Sequence, residues 1–87
     1  MESIQALRER TNKASVDLLL TDAEMGLTMT DLAQTSRIPE LKQRRKAEAA
    51  KAYEFIVSHI PKVSLTIAQR NFLGRKLAVL KHRLSSL

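Results

Sequence analysis

The side chains that could carry acid–base or nucleophilic chemistry are few and separated from one another. The two histidines, His59 and His82, have no aspartate or glutamate at a spacing that would orient the ring. Ser58, Ser85 and Ser86 are predicted to lack a basic partner, and no glycine-rich loop is present to hold a phosphate. Catalysis needs several polar groups that converge in one pocket. We therefore predict that the protein is not an enzyme and uses neither a cofactor nor a small-molecule substrate.

Three carboxylates recur along one face of the first part of the chain. Asp17, Glu24 and Asp31 lie seven residues apart, and Lys76 and Arg83 repeat the same spacing later. Carboxylates seven residues apart in a helix stand about 10 Å apart along its axis, too far to share one ion. We predict that no metal is bound and that the acidic and basic rows pair across a helical bundle.

The basic segment, defined as Lys42, Arg44, Arg45 and Lys46, is a dense cluster of positive charge. It falls in the first turns of a predicted helix, where the helix dipole disfavours cations by about 0.3–1 kcal/mol each. Two interpretations remain open. The segment is either solvated, with Arg44 paired to Glu48, or it is a contact for an anionic partner such as an acidic protein surface or nucleic acid.

Composition favours a single all-α domain over residues 1–87. Good helix formers dominate, aromatic residues make up 3% of the chain, and only two glycines and two prolines interrupt it. Cysteine is absent, which fits a cytoplasmic protein, and no apolar run approaches the 18 residues of a membrane span. The net charge of +6 is unevenly divided, because residues 36–87 hold twelve basic and three acidic side chains.

Local signals predict three helices at about residues 3–35, 39–60 and 67–86. Pro39 suits the first turn of the second helix, and Pro61 ends that helix. Thr66 and Gln69 have the spacing of a capping box at the start of the third. The short connection around residues 61–64 makes the second and third helices antiparallel neighbours. The predicted fold is a three-helix antiparallel bundle with a long first helix.

The first helix carries two apolar stripes. One has heptad spacing along the whole helix: Ile4, Leu7, Thr11, Ala14, Leu18, Thr21, Met25, Thr28 and Leu32. A second stripe appears only in the latter half: Val16, Leu20, Ala23 and Leu27. We therefore expect the latter half to pack against two partners. In the third helix, Gly74 lies within a leucine stripe and is expected to permit a close helix approach.

The predicted lengths leave the start of the first helix unsupported. At about 1.5 Å per residue, this helix is roughly 50 Å long and the other two are roughly 30 Å each. An uninterrupted first helix would therefore overhang the bundle and expose Ile4 and Leu7. We take these two residues as candidates for self-association, because a second chain could cover them.

The segment Ala49, Tyr53, Ile56 and Pro61 resembles the second helix of a tetratricopeptide repeat. Met25, Gly26 and Met29 are similar to part of the first helix of that repeat, and Leu73, Gly74 and Leu77 repeat the pattern. The resemblance covers about residues 22–84. It implies tetratricopeptide-like hairpin packing, with small residues at the crossing, and a role in binding other proteins.

A different resemblance lies in residues 27–49, where a short turn precedes a basic second helix, as in a helix-turn-helix. In that interpretation Gln43, Arg44 and Lys46 would face the major groove.

The sequence therefore predicts a small non-catalytic module that binds another protein or a second copy of itself. The alternative is a nucleic-acid binder that uses Lys42–Lys46 and the basic third helix.

Overall fold

The three predicted helices are present in the structure, a computed structural model that describes residues 3–87. They are α1 (Ile4–Thr35), α2 (Pro39–His59) and α3 (Ile67–Ser86), and a single 3₁₀ turn (Ile60–Lys62) follows α2. No strand occurs among the described residues. The predicted all-α three-helix bundle is confirmed. None of these helices has the length and apolar character needed to cross a bilayer.

Side-chain caps and prolines set the helix ends where the sequence predicts them. The Ser3 hydroxyl accepts a hydrogen bond from the Ala6 amide at 3.1 Å, which caps α1. Pro39 occupies the first turn of α2. The predicted capping box of α3 is formed: the Gln69 amide donates to Thr66 Oγ1 at 3.1 Å, and the Thr66 amide donates to Gln69 Oε1 at 2.9 Å.

Replacing Thr66 with alanine is expected to lower the free energy of unfolding by about 1 kcal/mol, because the Gln69 amide loses its acceptor. Thr66→Ser is the matched control, since it keeps the hydroxyl and the cap. Urea unfolding followed by circular dichroism measures both. Equal midpoints for the alanine and serine variants would contradict the role of the cap.

α2 runs antiparallel to α1, and α3 runs parallel to it. Arg45 Nη1 lies 4.0 Å from Met29 Sδ. Ala52, two turns further along α2, lies against Gly26, which comes earlier in α1. The core between the helices is built from residues with less than about a tenth of their surface exposed: Val16, Leu19, Ala23, Gly26, Thr30 and Ala33 of α1, Ala49 and Ile56 of α2, and Leu73 and Leu80 of α3.

The long stripe of α1 is not part of this core, which corrects the expectation that both stripes of the latter half would be buried. All nine of its members are exposed, including Leu18 at 51%, Met25 at 50% and Leu32 at 44%. The buried face overlaps the second predicted stripe through Val16 and Ala23. Both α2 and α3 pack on that one face, because its alanine, glycine and threonine residues let helices approach closely.

The close helix approach was predicted at Gly74 but occurs at Gly26. A Cβ atom on Gly26 would lie 2.9 Å from Leu80 Cδ2 and 3.3 Å from Ala52 Cβ. A Cβ atom on Gly74 would meet nothing within 4 Å. Gly74 is exposed, and it lies roughly a quarter-turn around α3 from the stripe of Leu73, Leu77 and Leu80.

α1 is continuous and extends beyond the rest of the bundle. The Asn12 side chain holds the connection between α2 and α3: its Nδ2 donates to the Ser64 carbonyl at 2.9 Å, and its Oδ1 accepts from the Ser64 amide at 2.8 Å. The helix continues from there back to Ile4, which is 72% exposed, and Leu7 is 53% exposed. This overhang accounts for the elongated shape, with extents of 54 × 24 × 17 Å.

Candidate interaction surface

The side chains of His59, Ser58, Ser85 and Ser86 lie within hydrogen-bond distance of groups one to four residues away. His59 stacks on the Phe55 ring with centroids 3.9 Å apart, and its Nδ1 lies 2.7 Å from the Phe55 carbonyl oxygen. Contrary to the sequence prediction, Ser58 does lie beside a basic group, with its Oγ 3.1 Å from His59 Nδ1. The carbonyl can only accept, so Nδ1 carries the proton and cannot act as a base toward Ser58.

The acidic and basic rows pair across α1 and α3 as the sequence predicts. Lys76 Nζ lies 2.7 Å from Glu24 Oε1, and Arg83 Nη1 lies 2.8 Å from Asp31 Oδ1. All four side chains are about a third or more exposed, so each pair contributes under about 1 kcal/mol. Within residues 3–87, no three histidine or carboxylate side chains come together in an arrangement suited to a metal ion.

Lys42, Arg45 and Lys46 of the basic segment share one face of α2, because they are spaced three and four residues apart, and all three are half-buried. Arg45 donates to Glu48 Oε2 at 3.2 Å, so Glu48 pairs with Arg45 and not with Arg44 as expected from the sequence. Lys46 Nζ donates at 3.2 Å to the carbonyl oxygen of Leu87, the residue that follows α3. Arg44 is exposed on the far side of the helix. Two of the three cations on the shared face are therefore engaged within the chain, and Arg44 is separated from them.

Lys42 faces an open polar pocket of about 280 Å³ where the ends of the three helices meet. Arg83 and His82 of α3 line the same pocket, together with Thr30 and Gln34 of α1. The positive charge there is partly neutralised, because Arg83 already pairs with Asp31. This pocket could not be predicted from the sequence, because its lining residues come from three distant segments.

The most extensive feature of the surface is the exposed stripe of α1, which we call the α1 seam. It consists of the nine exposed residues with heptad spacing: Ile4, Leu7, Thr11, Ala14, Leu18, Thr21, Met25, Thr28 and Leu32. In heptad notation these are the a and d positions, whereas the buried Val16, Ala23 and Thr30 are f positions on the opposite side of the helix. The seam therefore faces away from α2 and α3 along its whole length.

Two apolar residues of α3 widen the seam on one side. Phe72, Lys76, Val79 and Arg83 share one face of α3, since they follow steps of four and three. Lys76 and Arg83 reach across to α1, so the same face places Phe72 and Val79 beside the seam. Both are 44% exposed, and Lys76 Nζ lies 5.3 Å from the centre of the Phe72 ring.

Fold and surface together define a class: an all-α three-helix domain with an unpartnered heptad face on its longest helix. No family model matches the chain, and neither the curated proteins nor the solved structures give a match. The resemblance to a tetratricopeptide hairpin stays a prediction.

Proposed function

We propose that this chain is a small non-catalytic helical module that binds another protein through the α1 seam. The observation that carries the proposal is the exposure of a heptad pattern over four consecutive heptads. Contiguous apolar surface on a small domain is typical of sites for protein association. Sustained a and d positions are the specific pattern by which one helix packs against another.

The seam is independent of the forces that hold the bundle together. The core uses the opposite face of α1, so leucine and methionine on the seam add little to the stability of the isolated chain. A second helix laid along the seam would bury Leu18, Met25 and Leu32 at once. The resemblance to tetratricopeptide hairpins, which bind other proteins, favours the same function.

The alternative of a nucleic-acid binder has less support from the geometry. A helix-turn-helix sets its two helices at about 90–120°, whereas α1 and α2 run antiparallel in contact. The phosphate backbone attracts proteins through clustered cations, and two cations of the basic segment already have partners within the chain, Arg45 with Glu48 and Lys46 with the Leu87 carbonyl. A cytoplasmic location remains a prediction from the absence of cysteine.

A photo-cross-linking amino acid tests the proposal when it is placed at Met25 in the native host. We expect covalent adducts with protein from Met25, because the side chain would lie inside the interface. The same amino acid at Ala47, an exposed position on α2, is the matched control and is expected to give none.

A second variant separates specific docking from random collision. Leu18→Glu lies one heptad from Met25 on the seam, and it is expected to abolish the Met25 adducts. Its free energy of unfolding should change by no more than about 0.5 kcal/mol, as is usual at exposed positions. Adducts that are absent from Met25, or that persist unchanged in Leu18→Glu, would contradict the proposed function.

A further inference from the structure

We propose that the occupant of the α1 seam is a second copy of this chain, packed antiparallel to the first. This inference rests on the proposed function, because it names the partner of the same surface. The antiparallel orientation follows from the order of side-chain sizes and charges along α1 and from the position of its overhang.

When two copies of the seam are aligned in opposite directions, large side chains of one copy lie opposite small or flexible side chains of the other. In an antiparallel pair of α1 helices, related by a two-fold axis that crosses the seam at the level of residue 16, each a position is opposite a d position of the other copy. Leu7 then faces Met25 of the second copy, and Ala14 faces Leu18. Ile4 is opposite Thr28 in the same arrangement. In each of these three layers a large side chain meets a small or flexible one, which is the condition for close packing; Leu32 lies outside residues 4–28, the stretch that this register pairs.

Charges that flank the seam favour the same register. Arg8 and Arg10 flank its amino-terminal half, and Asp17, Asp22 and Glu24 flank its carboxy-terminal half. In the antiparallel pair, Arg8 lies beside Asp22 of the second copy. Arg10 lies beside Glu24, which already pairs with Lys76 of its own copy, so the Arg8–Asp22 contact is the main electrostatic support for this register. The symmetry repeats both contacts. The only like-charged contact between flanking residues in this register is Asp17 with its own symmetry mate.

A parallel pair would be electrostatically unfavourable. In that orientation the residue before each a position faces the residue after each d position of the partner. Asp17 would then lie beside Asp22 of the second copy, and the two-fold symmetry would produce this repulsion twice. Neither Arg8 nor Arg10 would gain an acidic neighbour across the interface. The charge sequence of α1 therefore selects the antiparallel orientation.

The overhang provides an independent geometric reason. Its residues Ile4 and Leu7 precede the Asn12–Ser64 contact in α1, and Leu7 lines a surface pocket with Lys62 and Ser64 at the edge of the bundle. In the antiparallel pair they cover Thr28 and Met25 of the second copy, on the part of α1 that α3 flanks. Phe72 and Val79 lie on that side, so the overhang of each copy is received in the corner between α1 and α3 of the other.

Sedimentation equilibrium on the purified chain tests the association. We expect a dimer that dissociates on dilution, and the double variant Ile4→Asp, Leu7→Asp should raise the dissociation constant at least about 100-fold because it places charge within the interface. Ile67→Asp is the matched control. Ile67 is 81% exposed on the side of α3 away from α1, so its dissociation constant should match that of the wild type.

A charge exchange tests the orientation. Arg8→Glu and Asp22→Lys are each expected to weaken self-association roughly 10-fold, because each variant opposes like charges at two symmetric contacts. An equimolar mixture of the two variants should recover the wild-type affinity, since each copy then supplies the charge that the other lacks. Unchanged affinity in Arg8→Glu, or no recovery in the mixture, would overturn the antiparallel register.

Single cysteines give a second measure of orientation in this cysteine-free chain. Ala14→Cys and Leu18→Cys should form a disulfide with each other when mixed in a redox buffer, and neither should form one with itself. Disulfides within each variant and none between them would indicate a parallel pair and overturn the inference.

The outcomes separate this inference from the proposed function. A wild-type chain that stays monomeric at millimolar concentration overturns the second copy as partner. Adducts between Met25 and a different protein in the host would then leave the proposed function standing. Loss of all adducts from Met25 would remove the proposed function itself.

Discussion

Ile56→Ala is expected to lower the free energy of unfolding by about 2–5 kcal/mol, the usual cost of truncating a fully buried isoleucine to alanine. Ile56 is 0% exposed and lies in the cluster that joins Leu19 and Ala23 of α1 to Leu73 of α3. The truncation leaves a cavity where all three helices meet. A domain of this size has little stability to spare, so the variant should be partly unfolded at 37 °C.

The neighbouring valine is the matched control for this prediction. Val57 is 45% exposed, so Val57→Ala removes comparable apolar groups at the surface and should cost less than about 1 kcal/mol. Both variants are measured by urea unfolding at one protein concentration, because self-association would otherwise shift the midpoints. Similar losses in the two variants would mean that Ile56 is not at the centre of the core.

The helix boundaries were predictable because local chemistry sets them. Pro39 fixes the start of α2, and the residues Thr66 and Gln69 cap α3 through groups only three positions apart. These signals act within one turn of the chain. They need no knowledge of which helix packs against which.

The choice of the buried face on α1 could not be predicted from apolar character alone. The long stripe contains isoleucine, leucine and methionine beside three threonines and an alanine, whereas the buried face combines Val16 and Leu19 with the small residues Ala23, Gly26, Thr30 and Ala33. Small residues contribute little hydrophobic area, but they allow helix axes to approach and let the leucines of α3 reach the core. Thr30 is satisfied within the core, since its hydroxyl donates to the Leu27 carbonyl at 2.7 Å.

The candidate site was predicted in part for the same reason. The overhang and the exposure of Ile4 and Leu7 followed from helix lengths alone. The extension of the site over Leu18, Met25 and Leu32 did not, because the sequence offers two stripes and does not state which is used internally. The sequence also does not determine whether Glu48 pairs with Arg44 or with Arg45, because side chains three and four residues apart are both neighbours on a helix.

The seam is exposed because α2 and α3 could pack on either of two faces of α1, and they pack on the other face. The face with Gly26 brings α2 and α3 close enough to bury Ile56, Leu73 and Leu80 completely. A bundle formed on the seam would hold the helices further apart around Met25 and Leu18 and would leave those leucines less well packed. The close-packed face is therefore used within the chain, and the bulkier face remains for another helix.

Gly26→Leu tests this argument and is expected to destabilise the protein by about 2 kcal/mol or more. A Cβ atom there would already lie 2.9 Å from Leu80 Cδ2 and 3.3 Å from Ala52 Cβ, so a leucine side chain must force both α2 and α3 away from α1. Overpacking of this kind outweighs the gain of about 1 kcal/mol from replacing a helical glycine.

Gly74→Leu makes the same chemical change at a helical position with open space and is the matched control. No atom lies within 4 Å of its added Cβ, so the gain in helix propensity is unopposed and the variant should be up to about 1 kcal/mol more stable than the wild type. Thermal unfolding of the two variants should therefore shift in opposite directions. A shift in the same direction for both would show that helix propensity governs at Gly26 as well, and that the close contact with Leu80 and Ala52 does not decide which face of α1 is buried.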